Sequence, residues 1–388
     1  MLEAAALELP GTLKKSNECP VCGGAMEALI DLPRYPLTEM YEPWTPKSEA
    51  GRGLVDQAFL FCEPCSHGKL ETVVPPSILY GPGYRTRTAA SGGSKAAVMA
   101  FAEFVKSKVY LADIDAVIDI GGNDGTLLAE FPSNRTVAID PHASGANTVI
   151  RAMVEDADLL QFKGERKLIL SSHTIEHIAD PNVMLAKIAA TMTYADTLAL
   201  QFPSLDLLVH DCRIDHIHHQ HLHYYSERSI CALLGKHGLE VIAAQFDPMH
   251  YGALMVIARR GGHEKWGIPI SNGQIIESTK FFSHQMAHLN VQLPRYHWYI
   301  AFGAALMLPV LAYYLPDLHQ GTDHIADNDR SKDGLRYINF DRPIRCDYDL
   351  EGKDVVITGI ATKMAARSLV TEAIAKGAKN VIVPLHTL

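Results

Sequence analysis

Hydrophobic positions change their rhythm three times along this chain of 388 residues. Up to residue 74 helical periodicity is weak and cysteines and prolines cluster, which predicts a small loop-rich module. A turn-rich linker, "VVPPSILYGPGYRTRTAASGG", follows. Next, "SKAAVMAFAEFVKS" places Val98, Phe101, Phe104 and Val105 on one face of a predicted helix. Strands and helices then alternate. "DAVIDIGG", "RTVAID", "RKLILSSH" and "ADTLALQFP" read as strands. "TLLAEF", "PNVMLAKIAATM" and "SERSICALLGKHG" read as helices, and "LEVIAAQF" and "ALMVIARR" as late strands. Such alternation predicts an α/β fold with a doubly wound, mainly parallel sheet.

A more polar helical bridge, about residues 263–293, precedes a second alternating run. Here "WYIAFG", "TDHIADND", "DVVITGI" and "NVIVPL" are strands and "TKMAARSLVTEAIAKG" a helix. The expected organisation is a small module over 1–74, an α/β core over 75–262 and a second, smaller Rossmann-like α/β domain over 263–388. Residues 298–315 carry no charge and just reach a membrane-spanning length. Gly303, Pro309 and the lack of flanking basic clusters favour a buried strand, a tight turn at Gly303 and a buried helix.

Composition narrows the class. Apolar content of 47% and charged content of 20% are those of a globular protein. A net charge of −9 argues against a general nucleic-acid binder. The N-terminus is acidic where a signal peptide needs basic residues, so a cytoplasmic monomer or small homo-oligomer without membrane attachment is expected. Four of the seven cysteines pair by spacing, Cys19 with Cys22 in "CPVC" and Cys62 with Cys65 in "CEPC". Two such knuckles supply four thiolates for a tetrahedral, structural zinc ion with no open position for chemistry. Cys212, Cys231 and Cys346 read as ordinary core or near-core thiols.

"AVIDIGGNDGTLL" sets Asp119 in a strand and Gly121, Asn123 and Gly125 in the turn after it. The dinucleotide fingerprint asks for G-x-G-x-x-G, whereas this is G-x-N-x-G, a looser turn suited to a ligand without a pyrophosphate. Asp140, at the end of "TVAID", can accept both hydroxyls of a ribose, and Asp156 and Asp158 are candidates for an adenine amino group. "SSHTIEHIADP" follows the next strand at the end where open α/β sheets bind ligands.

Taken together, D-I-G-x-x-x-G, the strand-terminal Asp140 and "SSHTIEHIADP" resemble a class I S-adenosylmethionine-dependent methyltransferase. With the four-cysteine module and the second α/β domain, nearly the whole chain resembles the sugar C-methyltransferases, which methylate a carbon of nucleotide-linked keto-deoxysugars. "HLHYYSERSICALLGKHGLEV" and "KNVIVPL" also match. The resemblance implies S-adenosylmethionine as cofactor and a nucleotide-sugar substrate. His173 and Glu176 are expected to line the cofactor pocket, His177 to face a helix interior or solvent, and His250 to lie near the sugar.

"DHIHHQHLHYYS", residues 215–226, holds five histidines. The family carries a Tyr-His-Glu-His run here, whose final histidine is the general base. The match puts His221 on that base and His219 on the first histidine, with Gln220 in place of the glutamate and His218 in place of the tyrosine. If the stretch is extended, His219, His221 and His223 share one face and a metal site becomes an alternative. Packing or surface roles are expected for His216 and His223. Tyr84 matches one of two family tyrosines near the sugar, Thr86 replaces the other, and Arg87 is a candidate phosphate contact. Met307 and Leu308 replace the end of a G-A-x-x-K-G turn. These departures leave open O- or N-methylation of a related sugar, or a non-catalytic methyltransferase-like binding protein.

Overall fold

The structure is a computed structural model, and it describes residues 13–45, 52–80, 87–90, 92–131, 135–262, 267–295 and 298–385. The N-terminal region differs from the loop-rich expectation. Two long strands, β1 (Glu27–Pro36) and β2 (Leu54–Cys62), pair antiparallel, and β3 (His67–Leu70) folds back onto β2 after the second cysteine pair. Irregularities between Ala28 and Ile30 and between Leu32 and Tyr35 disrupt the strict alternation by which a strand is read from sequence.

Helix α1 (Gly92–Lys106) buries Val98, Phe101, Phe104 and Val105, the face that the spacing predicts. The core strands follow as β4 (Ala116–Ile120), β5 (Thr136–Ile139), β6 (Thr148–Ile150), β7 (Lys167–Ser172) and β8 (Thr197–Pro203). After them come β9 (His223–Tyr225), β10 (Leu239–Asp247) and β11 (Ala253–Arg260). Seven of these form one sheet in the order β10-β11-β8-β7-β4-β5-β6. All neighbours from β8 to β6 are parallel, while β11 runs antiparallel to both β8 and β10. All residues of β4 are buried, as a strand covered on both faces requires. This is the α/β class I methyltransferase core implied by the resemblance.

Helices α2 (Pro181–Thr191) and α3 (Glu227–Lys236) begin at capping side chains, Asp180 and Ser226. One expected helix is missing. "TLLAEF" forms only a 3-10 turn over Leu128–Glu130. The Asp124 carboxylate accepts from both the backbone N–H and the hydroxyl of Thr126, a local pattern that competes with helix initiation.

The C-terminal region contains α4 (Asn272–Gln292), β12 (Tyr299–Phe302), α5 (Leu308–Tyr314), β13 (Thr322–Ala326), β14 (Ile344–Arg345), β15 (Asp354–Ile357), α6 (Lys363–Ala375) and β16 (Asn380–Ile382). Its five-stranded sheet is parallel throughout, in the order β14-β13-β12-β15-β16. The uncharged stretch is the expected buried strand, turn and helix, with Gly303 at φ +106°. Among the described residues no helix is long and apolar enough to cross a membrane. One hydrophobic core joins Ile30, Tyr35 and Phe59 of the N-terminal strands to Phe282, Phe302 and Leu311.

Phe101 is fully buried where α1 packs on the central sheet. Phe101→Ala is expected to cost about 3–5 kcal/mol of stability, read from the midpoint of denaturant unfolding.

Candidate active site

The central sheet reverses its order beside β4: the chain moves outward through β5 and β6, then returns to the other side as β7. Open α/β sheets bind ligands at such a switch point, outside the carboxyl ends of the strands. A cavity of about 200 Å³ lies there. Gly121 and Asn123 after β4, Ser172 and His173 at the end of β7, and Ala97 and Val98 of α1 form one side of it. Glu39 from the N-terminal region and Met307 from the C-terminal region also face it.

Backbone strain concentrates at this cavity. Of the seven described non-glycine residues with positive φ, four line it: Glu39, Asn123, His173 and Tyr251. The glycines of the turn are needed for space as well as for φ. A Cβ on Gly121 would sit 1.9 Å from the Thr174 hydroxyl oxygen, and one on Gly125 only 2.6 Å from the Gly145 carbonyl oxygen.

The histidine-rich stretch is not extended, so the shared face of His219, His221 and His223 that an extended stretch would give does not form. Ile214–His216 is a 3-10 turn, and the His221 N–H donates to the His218 carbonyl at 3.0 Å in a second turn. The three rings therefore go to different places. The His219 Nε2–H donates to the Tyr35 carbonyl at 3.1 Å, which leaves Nδ1 to accept from the Gln57 amide at 3.2 Å. The His223 ring pairs with that of His67 at 3.1 Å, in the packing role expected for it. His221 turns to the cavity, where its ring centroid lies 4.0 Å from that of His218 and 5.0 Å from that of His177.

Burial sets the charge of these rings. It holds His218 and His221 well below the usual histidine range, with neighbouring histidines adding to the effect. Burial also pushes His219 and His223 down to about 4. His216, which also lines the cavity, is pushed down to about 3 by burial and then by the Arg213 cation. The cluster is thus neutral near pH 7. Asp215, first in the stretch, makes a buried bidentate pair with Arg213 at 2.9 and 2.8 Å. The same guanidinium donates to the Ile360 carbonyl at 2.8 Å and ties the loop to the segment that follows β15.

Gln220 gains a reason from its partner. Its amide lies 3.4 Å from the Glu39 carboxylate, to which it can donate. A glutamate at 220 would set two carboxylates against each other. His177, expected to face a helix interior or solvent, instead lines the cavity.

Residues 94–244 match a family described as a methyltransferase domain. The chain carries a methyltransferase domain. The C-methyltransferase NovU of Streptomyces niveus is 24% identical over 256 residues, which are 62% of this chain and 60% of that one. The chain therefore spans less than two thirds of this relative's length. It bears out the resemblance to the sugar C-methyltransferases at that level. Partial likenesses in solved structures include the mitomycin 7-O-methyltransferase MmcR, at 20% identity over 43% of this chain and 55% of that one with TM-score 0.35. Another is the magnesium protoporphyrin IX methyltransferase of Synechocystis PCC 6803, at 14% identity over 47% and 91% with TM-score 0.35.

Within the methyltransferase domain the expected cofactor residues separate into two sets. Gly121, Asn123 and His173 line the cavity; Asp119, Gly125, Asp140 and Asp156 do not. Asp119 lies beneath the turn, only 2% exposed, and burial with Asp140 nearby raises its carboxyl well above the usual carboxylate range. Asp140 is half-buried and accepts the His142 N–H at 2.6 Å. Asp156 is exposed, and Asp158 caps the next turn through the Leu160 N–H. Tyr84 and Thr86 fall outside the described residues. His250 bonds Asp247 at 2.6 Å and faces a different cavity, away from His221. Sequence reasoning missed Glu39, Ser94 and Tyr251 in the cavity wall. Their contribution depends on non-local packing, and no local spacing announces it.

The four paired cysteines converge, their sulfurs all within 4.8 Å of one another, with Cys22 and Cys62 at 3.8 Å. Sulfurs about 2.3 Å from a tetrahedral ion stand about 3.8 Å apart, so the cluster has the size zinc requires.

Gly125→Ala is expected to cost roughly 1–3 kcal/mol, from left-handed strain and collision with Gly145. Gly92, whose added Cβ meets nothing within 4 Å, is the control. Equal unfolding midpoints for Gly125→Ala and Gly92→Ala would contradict this account of the turn.

Proposed function

We propose that the protein is an S-adenosylmethionine-dependent methyltransferase acting on carbon beside the ketone of a nucleotide-linked deoxysugar. The observation that carries this reading is one cavity holding both the strained glycine turn and the neutral His218–His221 pair. When bound, S-adenosylmethionine supplies an electrophilic methyl group on a sulfonium. The turn at Gly121 and Asn123 accommodates it, and Asp140 is the acid assigned to the ribose hydroxyls.

A neutral imidazole of the pair takes the proton from the carbon next to the ketone. The C–H electrons become the enolate, whose carbon forms a bond to the methyl as the carbon–sulfur bond breaks and its electrons return to sulfur. His221, matched to the family's base, and His218 beside it are the candidates for this proton. Gln220, donating to Glu39, orients the loop without adding charge. Met307 in the wall supports a sugar-binding role for residues 263–388, and Tyr84 is retained as a candidate at the sugar. We assign zinc to Cys19, Cys22, Cys62 and Cys65 as a structural ion within residues 1–74.

The test is incubation with isotopically labelled S-adenosylmethionine and a panel of nucleotide-linked 3-keto and 4-keto sugars, with the methyl located by NMR. Methyl on carbon is expected; methyl on oxygen or nitrogen would sink the enolate reading. His221→Ala should lower turnover at least about 100-fold, with S-adenosylmethionine affinity by calorimetry nearly unchanged. For the zinc, elemental analysis of purified protein should give at least one zinc per chain. Cys62→Ser should lose that zinc and lower the thermal midpoint, and full zinc retention would refute the assignment.

A further inference from the structure

Glu176 is a buried carboxyl whose oxygens accept no hydrogen bond among the described residues. Its side chain is 1% exposed, and Oε2 has no hydrogen-bond partner among the described residues. The nearest basic groups to Oε1 among the described residues are imidazoles, His173 Nδ1 at 3.3 Å and His177 Nε2 at 3.8 Å. A carboxylate this deep normally holds a cation or several N–H donors.

The tautomer of His177 sharpens the problem. Its Nδ1 lies 2.7 Å from the Gln220 carbonyl oxygen, which can only accept, so Nδ1 carries the hydrogen. The Tyr80 hydroxyl, 3.0 Å from the same nitrogen, is the longer contact. The other ring nitrogen, Nε2, stands 3.8 Å from Glu176 Oε1. With Nδ1 committed to the carbonyl, Nε2 is the ring nitrogen left to ligate an ion beside the Glu176 carboxyl. His221 adds a third donor atom, and the ligand atoms of Glu176, His177 and His221 all lie within 4.8 Å of one another.

We propose that Glu176, His177 and His221 form a second metal centre, a two-histidine, one-carboxylate site for a divalent first-row transition ion. His177 and His221 both line the cavity, so the positions that the protein leaves open face the substrate. Imidazole with carboxylate suits zinc, iron, manganese or nickel, and three protein ligands with open positions mark a catalytic site. It is distinct from the closed thiolate cluster.

The role of the ion rests on the methyl-transfer reading above. Held at His221, it receives the ketone oxygen and stabilises the enolate, supplying the charge that Gln220 does not. His221 then serves as ligand, and the proton passes to His218, whose Nδ1 is buried without a partner. In this assignment Glu176 holds the ion through the oxygens that otherwise lack donors.

The experiment uses full-length protein treated briefly with chelator, its cysteine-bound zinc verified by elemental analysis. Mn²⁺ is the probe, because thiolates do not select it. Titration followed by electron paramagnetic resonance should show one Mn²⁺ bound per chain. Glu176→Gln and His177→Gln should each weaken it at least about tenfold while S-adenosylmethionine binding persists. No bound Mn²⁺ in the unsubstituted protein, or unchanged affinity in Glu176→Gln, overturns the centre. Binding of S-adenosylmethionine without Mn²⁺ rejects the metal alone. Binding of Mn²⁺ without S-adenosylmethionine rejects the methyltransferase reading and leaves the metal centre standing.

Discussion

The backbone pairing of His223–Tyr225 with His67–Lys69 is the constraint on which the cavity depends. Strand β9 leaves the central sheet to complete a sheet with β3, β2 and β1. The loop just before it is thereby anchored at one end to the hairpin that carries the second cysteine knuckle. At its other end the buried Arg213–Asp215 pair holds it to the segment just after β15 through the Ile360 carbonyl. His218 and His221 are short side chains on a loop, yet both ends of that loop are fixed in regular structure. The Cys62–Cys65 knuckle thus acts on the cavity through the strand pairing, without touching the chemistry.

Burial on that loop has an electrostatic consequence. A histidine exposed to water is partly charged near neutrality, whereas burial keeps the His218 and His221 rings at this cavity neutral. Neutral rings can accept a proton or ligate an ion, and the same burial makes the carboxylate of Glu176 costly without a cation. The proposed base and the proposed metal centre therefore rest on a single cause, the burial of His218, His221 and Glu176 beside the point where the sheet order reverses.

Much of this was legible in the sequence, and its limits have physical reasons. The doubly wound core followed from continuous apolar runs such as "AVIDI" separated by helical periods, and α1 exposed its buried face at helical spacing. The N-terminal strands were hidden because bulges interrupt their alternation. "TLLAEF" has helical apolar spacing, but the Asp124–Thr126 bonds favour a turn. At the site, Gly121, Asn123, His218 and His221 could be named from local motifs. Glu39 and Tyr251 could not, since they reach the cavity by packing between distant segments. The extended geometry assumed for the histidines failed because two consecutive turns, not a strand, precede Leu222.

The contact between Gln220 and Glu39 joins positions 181 residues apart. Glutamine at 220 departs from the family's glutamate only when residue 220 is viewed alone; with Glu39 beside it, the pair still contributes one carboxylate to this wall. Tolerance of a glutamate at 220 is therefore expected to depend on the residue at 39, so that substitutions at the two positions are coupled and a histidine motif moved between relatives travels best with its distant partner.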